Sequence, residues 1–214
     1  MPDLRFRVEG AEASAFAAAP TLLLKLRVEN AGAEPIRSLT LNAQVRIRTA
    51  QRSYDAEERS RLRELFGEPP RWSATLRSML WTQTTLVVPP FEREALVDLP
   101  LACTYDFEVA SAKYLAALHD GEVPLELLFS GTVFYTDAAG LQVEQIPWDR
   151  EARFPLPVRV WREAIEKHFP NSAWLRLRRD VFDRLYAYKV GRGLPTWESA
   201  IEALLRGAGD EAER

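Results

Sequence analysis

The sequence has very few of the residues that most often hold a disulfide or a metal ion. Its 214 residues include one cysteine, Cys103, and two histidines, His119 and His168. One cysteine cannot form an intramolecular disulfide, and no CxxC motif is present for zinc binding or thiol redox chemistry. The two histidines are too far apart in the chain to form a local ligand pair. We therefore expect no disulfide framework, no locally encoded metal site and no cofactor.

Long apolar runs and a large net charge are also missing. No segment approaches the roughly 20 apolar residues of a membrane-spanning helix, and residues 1–27 contain no apolar core of signal-peptide length. We expect a cytoplasmic protein that does not span a membrane. The net charge of −3 is too small to draw the whole molecule toward nucleic acid or a charged membrane surface.

Sequence motifs of common enzyme classes are absent as well. The chain has no GxSxG, no HExxH and no phosphate-binding GxxxxGK[ST]. Cys103 is predicted to be buried, which would raise the pKa of its thiol and suppress its reactivity. An enzyme whose carboxylates or histidine, His119 or His168, are assembled only by the fold is the least favoured of the functions considered below.

The clearest positive signal is a run of alternating side chains over residues 97–109. Every odd position in this run is apolar or aromatic: Val97, Leu99, Leu101, Cys103, Tyr105, Phe107 and Val109. Successive side chains of a strand point to opposite faces, so the pattern predicts one long strand with one buried face. We expect this strand to be a central element of the predicted β-sandwich, with Cys103 in the core.

Similar alternation predicts several further strands. Residues 22–28 and 39–47 are predicted to form a hairpin around the turn at 30–35. An edge strand is expected at 4–8, and further strands at 80–88, 123–135 and 141–146. A short helix is expected over 110–118. Together these elements predict a mainly β protein with some α structure, an immunoglobulin-like antiparallel β-sandwich over residues 1–150.

A helical insertion is predicted within this sandwich, over about 52–79. Asp55 can cap a helix, and Glu58 three positions later completes a capping box. Gly67 fits the position that ends a helix, and the prolines at 69 and 70 prevent its continuation.

Residues 151–214 are predicted to form an arm followed by a three-helix cap that packs on the sandwich. The arm is rich in proline and contains a predicted last strand at 156–160. The first helix places Trp161, Ile165 and Phe169 at intervals of four, and Pro170 ends it. The apolar stripe of the second helix is Trp174, Leu177, Val181, Leu185 and Tyr188. Thr196 caps the third helix, whose apolar face is Trp197, Ile201, Leu204 and Leu205.

Basic residues are concentrated between positions 153 and 192, where ten of them face only four acidic residues. The predicted docking residues for a protein partner are Arg176, Arg179, Arg184, Lys189 and Arg192. The simpler interpretation is a solvated helix surface with ion pairs Asp180–Arg184 and Glu163–Lys167. Nucleic-acid binding is the least favoured interpretation of this charge.

Two tryptophans lie in irregular segments, Trp72 and Trp148. Exposed aromatic rings there would suit a small ligand or a sugar, so both are candidate ligand-binding residues. Packing in the core is the competing interpretation, and it is the favoured one.

Several blocks of the sequence resemble an uncharacterised family of actinobacterial cytoplasmic proteins. The blocks are LFGEP at 65–69 with RW at 71–72, CTYDFE at 103–108 with AKY at 112–114, DGE at 120–122, LFSGTVF at 128–134, VEQIPW at 143–148, FPNS at 169–172 with WLRL at 174–177, and LPTW at 194–197. They span most of the chain. The resemblance implies an association with gene clusters for nickel–iron hydrogenases, and hence an accessory role in assembly. It supplies no catalytic residues.

Three functions are therefore considered. The first is a non-catalytic cytoplasmic accessory protein that docks on a protein partner, in its narrowest form during assembly of a nickel–iron hydrogenase or similar complex. The alternative is a small-ligand or carbohydrate-binding module. The third is the enzyme with a site assembled by the fold. The residues do not predict an oligomeric state.

Overall fold

The computed structural model of the chain describes residues 2–104, 109–172 and 175–212, with side chains to residue 208. Residues 105–108 of the predicted long strand and Trp174 lie outside the described residues. The chain divides into two compact units, residues 1–174 and 175–214. We describe each unit by itself.

Two antiparallel sheets form the first unit, which is mainly β with helices, as predicted. The first sheet has the order β1-β2-β5, and the second has the order β4-β3-β6-β7, with β8 also pairing with β6. The strands are β1 Leu4–Ala13, β2 Thr21–Asn30, β3 Ile36–Ile47, β4 Met79–Val88, β5 Glu94–Ala102, β6 Glu122–Asp137, β7 Gly140–Gln145 and β8 Glu151–Pro157. The alternating apolar residues of both sheets are buried in one hydrophobic core.

The predicted hairpin of β2 and β3 is wrong, because the two strands belong to different sheets. β2 pairs with β1 and β5, whereas β3 pairs with β4 and β6. The buried side chain of Asn30 holds the crossover: its Nδ2 donates to the carbonyl oxygens of Glu34 (2.8 Å) and Glu92 (3.1 Å), and its Oδ1 accepts from the N–H of Gly32 (3.0 Å). Alternation predicts each strand and its buried face. It cannot distinguish a hairpin from a sheet-to-sheet crossover, because both place the same alternating residues along the two strands.

The strand predicted over 97–109 is shorter and lies elsewhere in its sheet. β5 covers Glu94–Ala102 and is an outer strand, so its predicted central place is wrong. Cys103 follows the strand, where its N–H donates to the carbonyl of Pro20 (2.8 Å), and its side chain is buried as predicted. Cys103 thus continues the buried face one residue beyond the end of β5.

Three short helices form the predicted insertion between β3 and β4: α1 Ala56–Arg61, α2 Arg63–Phe66 and α3 Trp72–Thr75. The predicted capping box is present. Asp55 accepts a hydrogen bond from the N–H of Glu58 (2.8 Å), and Glu58 accepts one from the N–H of Asp55 (3.3 Å). Gly67 ends α2 with φ of 74°, a conformation that favours glycine.

Two longer helices complete the first unit. α4 spans Ala110–Ala117, close to its predicted place, and α5 spans Val158–His168. The strand predicted at 156–160 is displaced, since β8 ends at Pro157 and the next residue begins α5. α5 buries Val158, Trp161 and Ile165, which recur at helical spacing, and it contacts β1, β2 and β8.

The second unit contains α6 Arg179–Gly191 and α7 Trp197–Ala212, which we call the helix pair. The first helix of the predicted three-helix cap, α5, belongs instead to the first unit. The predicted buried stripe of α6 is only half-buried at Val181, Leu185 and Tyr188, and no residue of α6 is fully buried. Two helices of this length have too little volume between them to enclose a core. Packing of the helix pair on the sandwich stays a prediction.

Candidate docking surface on the helix pair

Four of the five predicted docking residues are exposed, and Lys189 is half-buried. Arg179, Arg184 and Lys189 lie within α6, Arg176 precedes the helix and Arg192 follows it. Between residues 175 and 192 there are six basic side chains and two acidic ones. α6 itself contains three basic residues and two acidic ones, Asp180 and Asp183, so the basic excess extends over residues 175–192 and is not confined to the helix.

Much of this charge already has a partner within the helix pair. Arg179 pairs with Asp183 (3.1 Å), and Arg184 lies 3.8 Å from Asp180, which is the predicted i,i+4 pair. Asp180 also pairs with Arg178 (3.0 Å). Exposed pairs of this kind contribute little, about 0–1 kcal/mol each, so a partner's carboxylates can replace them at small cost.

Two further basic groups, Lys189 and Arg192, lie against aromatic rings. Lys189 Nζ is 5.5 Å from the centre of the Trp197 ring, and the guanidinium carbon of Arg192 is 5.3 Å from the centre of the Tyr188 ring. Such cation–π contacts leave the charged group accessible while fixing its direction.

The second predicted ion pair, Glu163–Lys167, is replaced by other contacts. Lys167 Nζ donates instead to the carbonyl oxygens of Ser14 (3.4 Å) and Ala15 (2.8 Å).

Large apolar side chains are exposed on both helices. The Trp197 ring packs against Phe182 (5.2 Å between ring centres) and Tyr186 (6.1 Å), yet both partners remain exposed. Ala200 is the one fully buried apolar residue of the helix pair among the side chains described. The exposed large apolar residues of the second unit are Leu175, Phe182, Tyr186, Val190, Ile201, Leu204 and Leu205. Exposed apolar groups of this density mark interaction sites in soluble proteins.

The two candidate ligand-binding tryptophans have opposite environments. Trp72 is buried in the core, where its Nε1 donates to the carbonyl of Gly67 (2.9 Å) and its ring meets Tyr54 and Phe66 edge-on. This burial corrects its assignment as a ligand-binding aromatic and agrees with the competing interpretation, packing in the core. Trp148 is 92% exposed and keeps that assignment.

The candidate reactive groups are held in structural contacts. Burial raises the pKa of the Cys103 thiol to about 12, so the thiolate is scarce at neutral pH. His119 Nε2 lies 3.2 Å from a carboxylate oxygen of Glu57, and the ring nitrogens of His168 face the carbonyl oxygens of Ala164 and Ala17. Within residues 2–104, 109–172 and 175–208, no three His, Cys, Asp or Glu side chains form a potential metal site.

Sequence reasoning missed a buried ion pair in the first unit. Arg52 pairs with Glu58 (2.6 Å), and their side chains are only 10% and 4% exposed. Arg52 also donates to the carbonyl oxygens of Asp120 and Glu122, and Glu58 accepts from the N–H of His119. The pair thus fastens the helical insertion to the chain before β6. The capping motif identified Glu58, but nothing in the sequence identified its partner.

An open depression also lies on the outer face of the second sheet. It has a volume of about 530 Å³ and is lined by neutral residues alone: Asn42, Ala43, Gln44, Gln83, Thr84, Thr85 and Ser130. Side-chain amides and hydroxyls can donate to and accept from a polyhydroxylated ligand. Sequence reasoning missed this lining, because alternate polar residues in a strand are also typical of an ordinary solvated face.

Comparison with known proteins identifies the family. Residues 1–213 match a family of unknown function, DUF6084. The chain belongs to this family. A search of curated proteins found no match. Among the described residues of this DUF6084 protein, no helix has both the length and the apolar character needed to cross a membrane.

Solved structures show only remote similarity to the DUF6084 chain. A CARDB domain from Pyrococcus furiosus, in complex with di-metal ions, has a TM-score of 0.28 and 11% identity over 72% of this chain and 86% of that one. A β-glucosidase from Kluyveromyces marxianus has a TM-score of 0.26 and 11% identity, with 72% and 15% covered. β-Glucosidase 3B from Thermotoga neapolitana, in complex with α-D-glucose, has a TM-score of 0.24 and 14% identity, with 72% and 17% covered. These likenesses are too weak to suggest a function.

Proposed function

We propose that this protein is a non-catalytic cytoplasmic interaction protein whose helix pair docks on an acidic protein partner. The observation that supports the proposal is the contrast within the helix pair, among the side chains described, between one buried apolar residue, Ala200, and six exposed large ones. The sandwich, whose predicted finer class is immunoglobulin-like, serves as the scaffold.

The exposed apolar side chains of the helix pair support the proposal that a partner covers them. A unit of about 40 residues rarely holds itself together without a disulfide, a metal or an oligomeric partner. The helix pair contains no cysteine, and its exposed apolar side chains lie on both helices. Covering rings such as Phe182 and Tyr186 on a partner would supply the burial that the two helices cannot supply to each other.

The exposed arginines of the second unit support the proposal that the partner is acidic. The arginines at 176, 179 and 184 are exposed and lie close in the chain to the exposed residues Leu175 and Phe182, and protein interfaces commonly join an apolar centre to a polar rim. A partner with carboxylates at matching positions would be attracted before contact, so the association should weaken with added salt.

The narrowest form of the proposal is an accessory role in assembly of a nickel–iron hydrogenase or a similar complex. Its support is the sequence resemblance, not a feature of the fold. The single cysteine and two histidines argue for a role in holding a protein partner, because a metal carrier needs a set of metal ligands.

Affinity purification of the full-length chain from its native host tests the proposal. We expect a stoichiometric partner that is released by raised salt and is lost from the variant R176E/R179E/R184E. The control is R5E/R7E/R153E, which reverses the same number of charges at three exposed arginines of the first unit, with side chains 66%, 65% and 66% exposed. Recovery of the chain alone, or equal loss of the partner in both variants, would contradict the proposal.

A second candidate function, small-ligand or carbohydrate binding, is supported by the neutral depression on the second sheet and by the exposed ring of Trp148. Titration of the protein with glucose oligosaccharides, followed by NMR, tests it. Binding should shift the side-chain amide signals of Asn42, Gln44 and Gln83, and the variant Q44L/Q83L should lose it. Absence of any shift in these amides would reject the depression as a sugar site.

A further inference from the structure

The outer edge of β7 is unpaired. β7 pairs with residues 132–137 of β6 and, within the described residues, with no other strand. In an antiparallel sheet, alternate residues of an outer strand direct their N–H and C=O groups away from the neighbouring strand. β7 therefore presents backbone donors and acceptors that an additional strand could use.

The other outer strands are covered or interrupted. β4 contacts β5 of the opposite sheet, and β1 contacts β8 on the other side of the sandwich. β5 contains Pro100, β8 contains Pro155, and β1 has a bulge between Val8 and Gly10. Proline removes a donor and a bulge bends the strand, so both discourage the addition of a further strand. β7 has neither feature and contains no lysine.

The outer side of β7 is apolar. Leu141 is 65% exposed and Val143 is 57% exposed, although neither has a place in the core. Val143 lies directly opposite Phe134 of β6, which is half-buried, so the three side chains share the outer face. Apolar side chains of an added strand would pack on this face beside Leu141 and Val143.

The inner side of β7 combines a small cavity with negative charge. The cavity has a volume of about 60 Å³ and lies between β7 and the start of the chain, with Leu4, Ile146, Pro147 and Glu144 in its lining. Burial raises the pKa of the neighbouring Tyr135 hydroxyl, and the carboxylates of Glu144, Asp137 and Glu34 raise it further. This side therefore suits a basic side chain with an apolar stem.

We propose that β7 binds an extended segment of a partner protein by strand addition. The segment places β-branched apolar side chains beside Leu141 and Val143 and a lysine or arginine beside Glu144. This site is independent of the helix pair, and its failure leaves the proposed function of the helix pair intact.

Charge distinguishes this occupant from a second copy of the chain. Residues 137–145 contain Asp137 and Glu144 and no basic residue. Two β7 strands brought together would each add carboxylates to the same edge without an opposing charge. A segment that alternates apolar and basic residues matches both sides of β7 at once.

A synthetic peptide tests the proposal directly. The probe is acetyl-Val-Lys-Val-Lys-Val-Lys-amide, titrated into the full-length protein and followed by NMR of the backbone amides. We expect saturable shifts centred on residues 140–145 at concentrations up to about 1 mM, the weak end of specific binding. The same peptide with alternate backbone nitrogens methylated keeps its side chains but loses the donors that face β7, so its binding should disappear.

Two variants locate the peptide on β7. L141T/V143T keeps strand-forming residues and adds no charge, and it should weaken binding by roughly five-fold as apolar contacts are lost. The matched control L80T/V87T changes two similarly exposed residues of β4, at 53% and 64%, and should bind like the wild type. E144K should weaken binding of the lysine peptide and strengthen binding of the corresponding glutamate peptide.

The proposal is overturned by three results. One is the absence of any shift in β7 at about 1 mM peptide, and another is equal binding by the methylated peptide. The third is a dimer of the free protein that L141T/V143T dissociates, because β7 would then pair with a second copy. Circular dichroism of each variant checks that the fold is retained.

Discussion

The sandwich and the helix pair are built from similar residues, but they bury them differently. In the sandwich, Leu24, Leu26 and Leu39 are fully excluded from solvent, whereas Leu204 and Leu205 of the helix pair are 45% and 66% exposed. The two sheets of the first unit enclose a core between them, whereas the two helices of the second unit bury few side chains against each other. The first unit thus encloses its own core, and the second leaves large apolar side chains exposed.

The largest loss of stability is expected when the buried ion pair of the first unit is broken. E58Q leaves the guanidinium of Arg52 buried without its counter-charge, and the free energy of unfolding should fall by about 3–5 kcal/mol. Chemical denaturation measures the change. The control E68Q removes the partner of Arg63 in an exposed pair, with side chains 58% and 62% exposed, and should change stability little. Equal effects would mean that Arg52 is not buried as described.

Leucine truncation compares the two regions directly. L24A opens a cavity in the sandwich core and should cost about 2–5 kcal/mol of unfolding free energy. L205A removes an exposed side chain of the helix pair and should cost much less, within about 0.5 kcal/mol. Thermal or chemical denaturation of both variants provides the comparison. A large loss in L205A would show that Leu205 is part of a core.

The single cysteine gives a smaller test within the sandwich. C103S places a hydroxyl in a buried site where Sγ lies 3.6 Å from the carbonyl oxygen of Leu101, and we expect a loss of about 1–3 kcal/mol. In the wild type, stability owed to the neutral thiol should be complete below pH 9.0 and lost as the pH rises toward about 12. Thiol-reagent labelling at pH 8 should be slow in the native protein and fast in denaturant. Rapid native labelling would contradict burial of Cys103.

The smallest effect is expected at the helix cap of the insertion. The backbone N–H of Glu58 holds the pKa of Asp55 below its ordinary value of 3.8. The ionised carboxylate therefore stabilises the fold above pH 3.8, and that stability is lost as the pH falls through the lower folded-state pKa. D55A should lower the melting temperature slightly at pH 7, and its difference from the wild type should shrink in acid. A constant difference across this range would argue against the cap.

Side-chain alternation predicted most of the strands, and helical spacing predicted α5 from Trp161 and Ile165. It could not predict which strands pair. The turn at residues 30–35 is typical of a hairpin and led to the prediction that β2 pairs with β3. In the structure, Asn30 donates to the carbonyl oxygens of Glu34 and Glu92 and so stabilises a crossover between the two sheets. Such a contact joins residues 62 positions apart, and no local pattern records it.

The candidate docking residues were accessible to sequence reasoning because charge is visible in composition. The edge of β7 was not, although residues 141–146 were predicted to be a strand. Whether a strand is central or outer depends on pairing across the whole sheet, and β5 was misplaced for the same reason. Trp72 shows the converse limit, because burial of one aromatic ring depends on contacts with Tyr54 and Phe66 that form only in the fold.

Hydrogen–deuterium exchange of the full-length chain, free and bound to its purified partner, tests most directly the claim that the sandwich is self-sufficient and the helix pair is not. In the free chain, amides of β2, β3 and β6 should be strongly protected, and those of α6 and α7 should exchange rapidly. The partner should slow exchange in α6 and α7. Protection of α6 and α7 in the free chain equal to that of the central strands, with no change on binding, would contradict the account.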